Sequence, residues 1–463
     1  MNSRCLSALF LLAGAPYAPA MDLVVDRIDD GGAGSLRAAI DAANAAAGAD
    51  RIVFADALAG QTITLAAPTP TLTDATEILG PTTSPAILRS AGDDRVLAIT
   101  TAPGAIVALH DLVLAGGRRL DTSGGCLAIQ HASVLLERVR VTDCEAVFGG
   151  AIAASGGAIL ELEDSRVDHA LARRTGGGIY AAGALFIGNS EIDHNAVDGA
   201  GYISGGGVYF GPPETQSMLW ILDSRLHENT AMTSTPDDSG SGSTGGALDA
   251  SRGSVLVERS SFYGNRALYG AALNRTGFSD DALTARIVGS TFANNQGDQI
   301  LSFLVGSATI EFSTVSGNEW LRPGMWGKTA VDAWATVPLR ISGSVIAGNA
   351  ADGTDVATHG AAADVGRSLI GSAAAGAIDP THPGDNLLGI APRLYALAFN
   401  GGPTPTMVPK PGSPLLDAAG TADLPATDQR GYARLVGSAA DIGAVEDDGD
   451  RLFADAFEVD PGS

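Results

Sequence analysis

Between residues 165 and 344 one pattern returns seven times: an alternating apolar strand, a serine, and an asparagine five residues further on. The serines are Ser165, Ser190, Ser224, Ser260, Ser290, Ser313 and Ser344. Asparagine follows at Asn195, Asn229, Asn265, Asn295, Asn318 and Asn349, and the first copy alone carries Ala170 instead. A repeat of this length belongs to a chain of stacked, similar units rather than to one globular core.

Aligned on the serine, the columns separate. Three residues earlier stand Leu162, Ile187, Ile221, Val257, Ile287, Ile310 and Ile341, and five earlier stand Leu160, Leu185, Leu219, Val255, Ala285, Ala308 and Leu339. The column between is mixed: Glu161, Phe186, Trp220, Leu256, Arg286, Thr309 and Arg340. Two apolar columns around a variable one mark a strand with one buried face. The apolar column resumes two residues after the serine, from Val167 to Ile346, so a bend near the serine separates two strands of one coil. Glycine pairs such as Gly149-Gly150 and Gly177-Gly178 supply a tight corner into a third strand, because glycine takes positive φ without steric cost. The shortest coils, Ser165 to Ser190 and Ser290 to Ser313, leave no room for strand–helix–strand crossovers. Three short strands and three turns per coil fit, with the asparagines bonding from coil to coil as a ladder. The fold class expected is all-β: a single-stranded right-handed parallel β-helix, a pectate-lyase-like solenoid, its hand given by the general rule for parallel connections.

The ends differ from the middle. Arg4, the apolar run from Leu6 to Ala15, and Ala18-Pro19-Ala20 have the order of a signal peptide, which assigns residues 1–20 to export. Residues 21–95 form an N-terminal cap and first coils. Within them Ser35 is a suitable N-cap and Gly48 a suitable stop for a short amphipathic helix with apolar residues at 36, 40, 43 and 47. Residues 96–350 are the repeats, 351–446 the C-terminal coils and a turn-rich region, and 447–463 an acidic flexible tail. After removal of the leader, Cys126 and Cys144 remain within or next to one coil. In an oxidising compartment a disulfide and a pair of buried thiols are both open.

Some blocks look familiar. Gly34-Ser35-Leu36-Arg37-Ala38-Ala39-Ile40 with Asn44 and Gly48-Ala49-Asp50-Arg51-Ile52-Val53-Phe54 resembles the N-terminal module of secreted bacterial CSLREA-domain proteins. Asn400-Gly401-Gly402-Pro403, Gly412-Ser413-Pro414-Leu415-Leu416-Asp417, Asp428-Gln429-Arg430-Gly431 and Asp441-Ile442-Gly443-Ala444 resemble the C-terminal region of the choice-of-anchor Q family. Gly149-Gly150-Ala151-Ile152 and Phe262-Tyr263-Gly264-Asn265 are similar to polymorphic outer membrane protein repeats, although no C-terminal membrane barrel follows them. These resemblances imply a secreted or cell-surface β-helix protein of a Gram-negative bacterium, without established catalytic residues.

A net charge of −24 excludes nucleic acid and anionic membranes as natural partners. No apolar stretch after the leader is long enough to span a bilayer as a helix. The chain is expected to be a monomer, with a polysaccharide or a host or cell-surface glycan as partner. Trp320, Trp326 and Trp334, with Arg322 and Lys328, fall in a segment read as an inserted loop over 320–336, where exposed indoles would stack on sugars. Tyr180 and Tyr209 share a column on adjacent coils and make a smaller platform. His169 and His194 also share a column, with His227 one position off it and Asp168, Asp193 and Glu228 nearby, a weak metal or acid/base candidate. No cofactor is expected; calcium at Asp447, Asp448 and Asp450 is a weak alternative, because the spacing is not that of an EF-hand. The Asp237-Asp238 pair lies in a Ser/Gly-rich loop, 230–244. The function expected is a non-catalytic adhesin or glycan-binding surface protein. The alternatives are a polysaccharide lyase or glycoside hydrolase, and a structural envelope component.

Overall fold

The computed structural model describes residues 21–447, except 47, 214–215, 234–241, 278–282, 323–326, 335–336 and 380–384. The leader (1–20), Asp237-Asp238, Trp326 and the tail from Asp448 lie outside the described residues.

The chain is a right-handed parallel β-helix. Among the described residues, two sheets hold 13 strands each, a third holds 10, and a fourth, shorter one holds seven. Every strand-to-strand pairing in these sheets is parallel, with equivalent residues in register from coil to coil in the first and second sheets and a register shift between Ala146 and Phe148 in the fourth. A typical coil runs Ile159–Glu163 in the first sheet, Arg166–Asp168 in the second, Leu171–Thr175 in the fourth and Ile179–Ala181 in the third. The central coils therefore have four faces rather than the expected three. The extra strand follows the column of Cys144, Ala170 and Asn195, where the register partners Ala146, Ala172 and Val197 face inward in stretches too short to leave a sequence signal.

The serine and asparagine columns are the axial seams. Each serine hydroxyl accepts the backbone N–H of the preceding coil's serine: Ser165 N–H donates to Ser190 Oγ at 3.0 Å, and Ser190 N–H to Ser224 Oγ at 3.1 Å. The series continues through Ser260, Ser290, Ser313, Ser344 and Ser368. The asparagines do the same with side-chain amides as well, from Asn195 to Asn349. Both seams satisfy polar groups that are fully buried, which is why those two residue types recur. The corner before each serine is left-handed: Asp164, Asn189, Asp223 and Arg259 have φ between 44° and 50°. Gly176 and Gly205, each one residue ahead of the expected pair, take φ of 67° and 66° at the corner into the third sheet. The next glycine is needed for proximity, since a Cβ on Gly177 would stand 2.1 Å from the carbonyl oxygen of Gly206.

At the N-terminal end the helix Leu36–Ala45 covers the first coil with Leu36, Ala39, Ile40 and Ala43. Ser35 caps it, accepting from Ala38 N–H at 3.2 Å, while Ala46 rather than Gly48 closes it. Cys126 and Cys144 are joined by a disulfide. Beyond Leu387–Leu388 the chain leaves the helix and folds back along the second sheet as a strap. Gln429 is its pin: Nε2 donates to Ser261 Oγ at 2.8 Å, and Oε1 accepts from Thr291 Oγ1 at 2.6 Å. Ala444 N–H donates to Thr314 Oγ1 at 3.0 Å. The strap docks where the outward residues of the second sheet are the small Ser261, Thr291 and Thr314. On earlier coils the same column carries Arg166, Glu191 and Arg225, which the strap approaches through Pro403 and through the Phe399 ring near Arg225.

Candidate functional site

Trp320 and Trp334 are the described members of the expected tryptophan platform. Trp320 is buried and donates its indole N–H to the Ala350 carbonyl at 2.9 Å, packed against Gly353. Trp334 is 48% exposed and lies against His359, with ring centroids 4.9 Å apart. The segment read as a loop also contains a fully buried strand, Thr329–Ala333, of the third sheet. Arg322 and Lys328 are each paired, with Asp298 and Asp352. Tyr180 and Tyr209 stack at 5.4 Å with planes 10° apart, extended by Phe148 at 5.9 Å from Tyr180. Both are half-buried, Tyr209 bonds Ser251 Oγ, and burial pushes both phenols up; the stack lines the flank of the third sheet.

The aromatic groove is elsewhere, in the mixed column of the first sheet. Glu161, Phe186, Trp220 and Leu256 are register partners on successive coils. Phe186 and Trp220 meet edge to face at 5.6 Å. Glu161, Glu163, Asn189 and Asp223 complete the groove wall around them. The Trp220 indole N–H is shielded from solvent and has no acceptor among the described residues. Burial raises the Glu161 carboxyl above the ordinary carboxylate range. Burial and the neighbouring Asp164 raise Glu163, which accepts from Asn189 Nδ2 at 3.1 Å. Periodicity alone could not select this column, because its members share no residue type. The signal was that its two aromatics fall on adjacent coils.

On the second sheet a charged ladder runs along the outer face. Arg140 and Arg166 both reach Asp168 Oδ2, and Arg166 grips Asp193 with two bonds of 2.9 and 2.7 Å. Burial pushes Glu191 up, but its hydrogen bond with His227 and the charges of Arg225 and Arg166 outweigh this and pull it down to about 2. His169 and His194 sit in the left-handed corner after these strands, with φ of 51° and 52°, and stack at 5.1 Å. His227, on its strand, stacks instead on Tyr263 at 4.5 Å. An open polar groove lined by Asp164, Pro403 and the ladder's own Arg166, Glu191 and Arg225 adjoins the aromatic groove, and both grooves share Asn189 and Asp223. Asp447, the described member of the calcium candidate, donates its backbone N–H to Asp441 Oδ2.

No family model and no curated protein matches the chain. Among solved structures it is similar to the one titled crystal structure of pectate lyase Pel9A, at 13% identity over 93% of this chain and 97% of that one, with a TM-score of 0.49. No residue and no activity is carried over from that protein. No described helix is long and apolar enough to cross a membrane.

Proposed function

We propose that the chain is an exported β-helix protein that binds a neutral glycan in the first-sheet groove. The observation that carries this reading is the half-buried Phe186–Trp220 pair on the outward column of a sheet, edge to face at 5.6 Å, with a shielded indole N–H that has no acceptor among the described residues. Aromatic faces pack on the aliphatic faces of sugars, and a few convergent polar groups fix their orientation. Here Glu161, Glu163, Asn189 and Asp223 offer acceptors to hydroxyl groups. Those acids, with a net charge of −24, favour a neutral polymer over a polyanionic one. The leader-like N-terminus and the resemblance to choice-of-anchor Q proteins support export, and with it a role in adhesion.

A cleaving enzyme has one observation on its side: Glu161 is a carboxyl raised by burial inside the groove, as a general acid would be. The lining holds no histidine or arginine to act beside it, which favours binding. Affinity electrophoresis through neutral polysaccharides, with a parallel assay for new reducing ends, tests both. Retardation lost by at least about tenfold in Trp220→Ala and Phe186→Ala, without product, is the expected result. Products that disappear in Glu161→Gln would replace binding with hydrolysis. Equal migration of wild type and both aromatic variants would remove the groove from the account.

A further inference from the structure

His194 and His227 have an arrangement that the charged ladder does not explain. Asp193 and His227 are register partners on adjacent strands, Glu191–Asp193 and Arg225–His227. His194 and Glu228 follow them in the left-handed corner column, both near φ of 53°. Both nitrogens of both rings face a carboxylate oxygen. His194 Nδ1 lies 2.7 Å from Asp193 Oδ2, and its Nε2 lies 2.9 Å from Glu228 Oε2. His227 Nε2 lies 2.6 Å from Glu191 Oε1, and its Nδ1 lies 3.3 Å from the same Glu228 Oε2. A neutral imidazole carries one N–H, so two rings have two protons for four such contacts. The remaining two contacts set a ring lone pair against a carboxylate lone pair unless each ring takes a second proton or a metal cation stands between them.

We propose that His194, His227 and Glu228 bind a divalent transition metal of the Zn²⁺ class, with Asp193 and Glu191 as positioning residues. The choice of donors follows from the contacts. The two nitrogens that share Glu228 Oε2 are the ligands, and the two others donate N–H to Asp193 and Glu191. That is the carboxylate–histidine–metal relay by which outer carboxylates fix the tautomer and orientation of a ligand ring. Imidazole nitrogen with carboxylate oxygen is a donor set for borderline divalent ions. Glu228 Oε2 lies 2.9 Å from His194 Nε2 and 3.3 Å from His227 Nδ1, and donor atoms of the two histidines and Asp193 lie within 4.8 Å of one another, so the residues are gathered before any ion arrives. The outer carboxylates are anchored in turn, Asp193 by Arg166 and Glu191 by Arg225 at 3.2 Å. Tyr263 stacks on the His227 ring and holds it. Charge is permissive, since Asp168, Asp193, Glu191 and Glu228 outnumber Arg140, Arg166 and Arg225 by one. Glu228 and His194 remain about half exposed, which leaves an entry path.

The site lies on a different sheet from the aromatic groove and stands independently of it. The test is titration of the full mature chain, stripped with a chelator, with Zn²⁺ by calorimetry and with Co²⁺ by visible absorption. A single saturable site with a ligand-field band is expected. His194→Ala and Glu228→Gln, both at half-exposed positions, should abolish the band, and Glu191→Gln should weaken Zn²⁺ binding by about 10–100-fold. His169→Ala removes a ring that stacks on His194 without belonging to the donor set, and should leave affinity unchanged. Absence of saturable binding by wild type would overturn the proposal, as would binding that survives both His194→Ala and Glu228→Gln. Circular dichroism of each variant separates loss of the site from loss of the fold.

Discussion

Asn229 donates its side-chain amide to Asn265 Oδ1 at 3.1 Å, and the same oxygen accepts the Asn229 backbone N–H at 3.1 Å. Asn265 passes the pattern on, giving its own amide to Leu226 O at 2.8 Å and Asn295 Oδ1 at 2.9 Å. One fully buried side chain thus satisfies groups on both neighbouring coils.

Asn265→Ala leaves the Asn229 donors and the Leu226 carbonyl without partners in a dry interior. An unpaired buried polar group costs about 1–3 kcal/mol, so a loss of about 3 kcal/mol is expected for the set. Urea denaturation measures it. A loss below about 1 kcal/mol would mean that water enters the seam.

The Cys126–Cys144 disulfide closes a loop with a sequence separation of 18. Restricting a loop of that size in the unfolded chain stabilises by about 3 kcal/mol in the chain-entropy picture. The double variant Cys126→Ala/Cys144→Ala should unfold at correspondingly lower denaturant, and added reductant should then have no effect on it.

Gln429 connects the strap to Ser261 and Thr291, and braces the strap's own Thr404, from a fully buried position. Gln429→Ala should release the strap and leave the coils standing, because coil stability comes from nearest neighbours along the axis. Limited proteolysis would then cut within 399–446 at least about tenfold faster, corresponding to about 1.4 kcal/mol of lost docking. Cleavage distributed through the repeats would show instead that the strap supports the coils.

Glu446 ends the strap beneath Arg434, and burial raises its carboxyl from the ordinary 4.5 to about 7 despite amide donors from Asp441 and Val436. The folded form therefore keeps a proton that the unfolded segment releases. The stability it contributes is complete below 4.5 and declines as pH rises through about 7. Burial also raises Asp441, which acts in the same direction. Proteolysis of the strap should accelerate as pH climbs across that window, and a flat profile would contradict the assignment.

The repeat alone determined the solenoid. Contacts between equivalent positions one coil apart recur with the chain's own period, so inward columns, the asparagine seam and the capping helix at Leu36–Ala45 can be read from alternation and spacing. The serine column was visible too, although its hydrogen-bonded role emerged only with the backbone in place. Tertiary structure decided everything that depends on a single, non-repeating encounter. Gln429 meets Ser260 across 169 residues, a distance at which no column exists to be aligned. Trp320 and Trp334 have the same composition signal, yet one indole turns under the next coil and the other stays in solvent. The pairing of Phe186 with Trp220, and of His194 with His227, rests on neighbouring coils placing different residue types side by side. A period records what each coil shares with the next; a site is made where they differ.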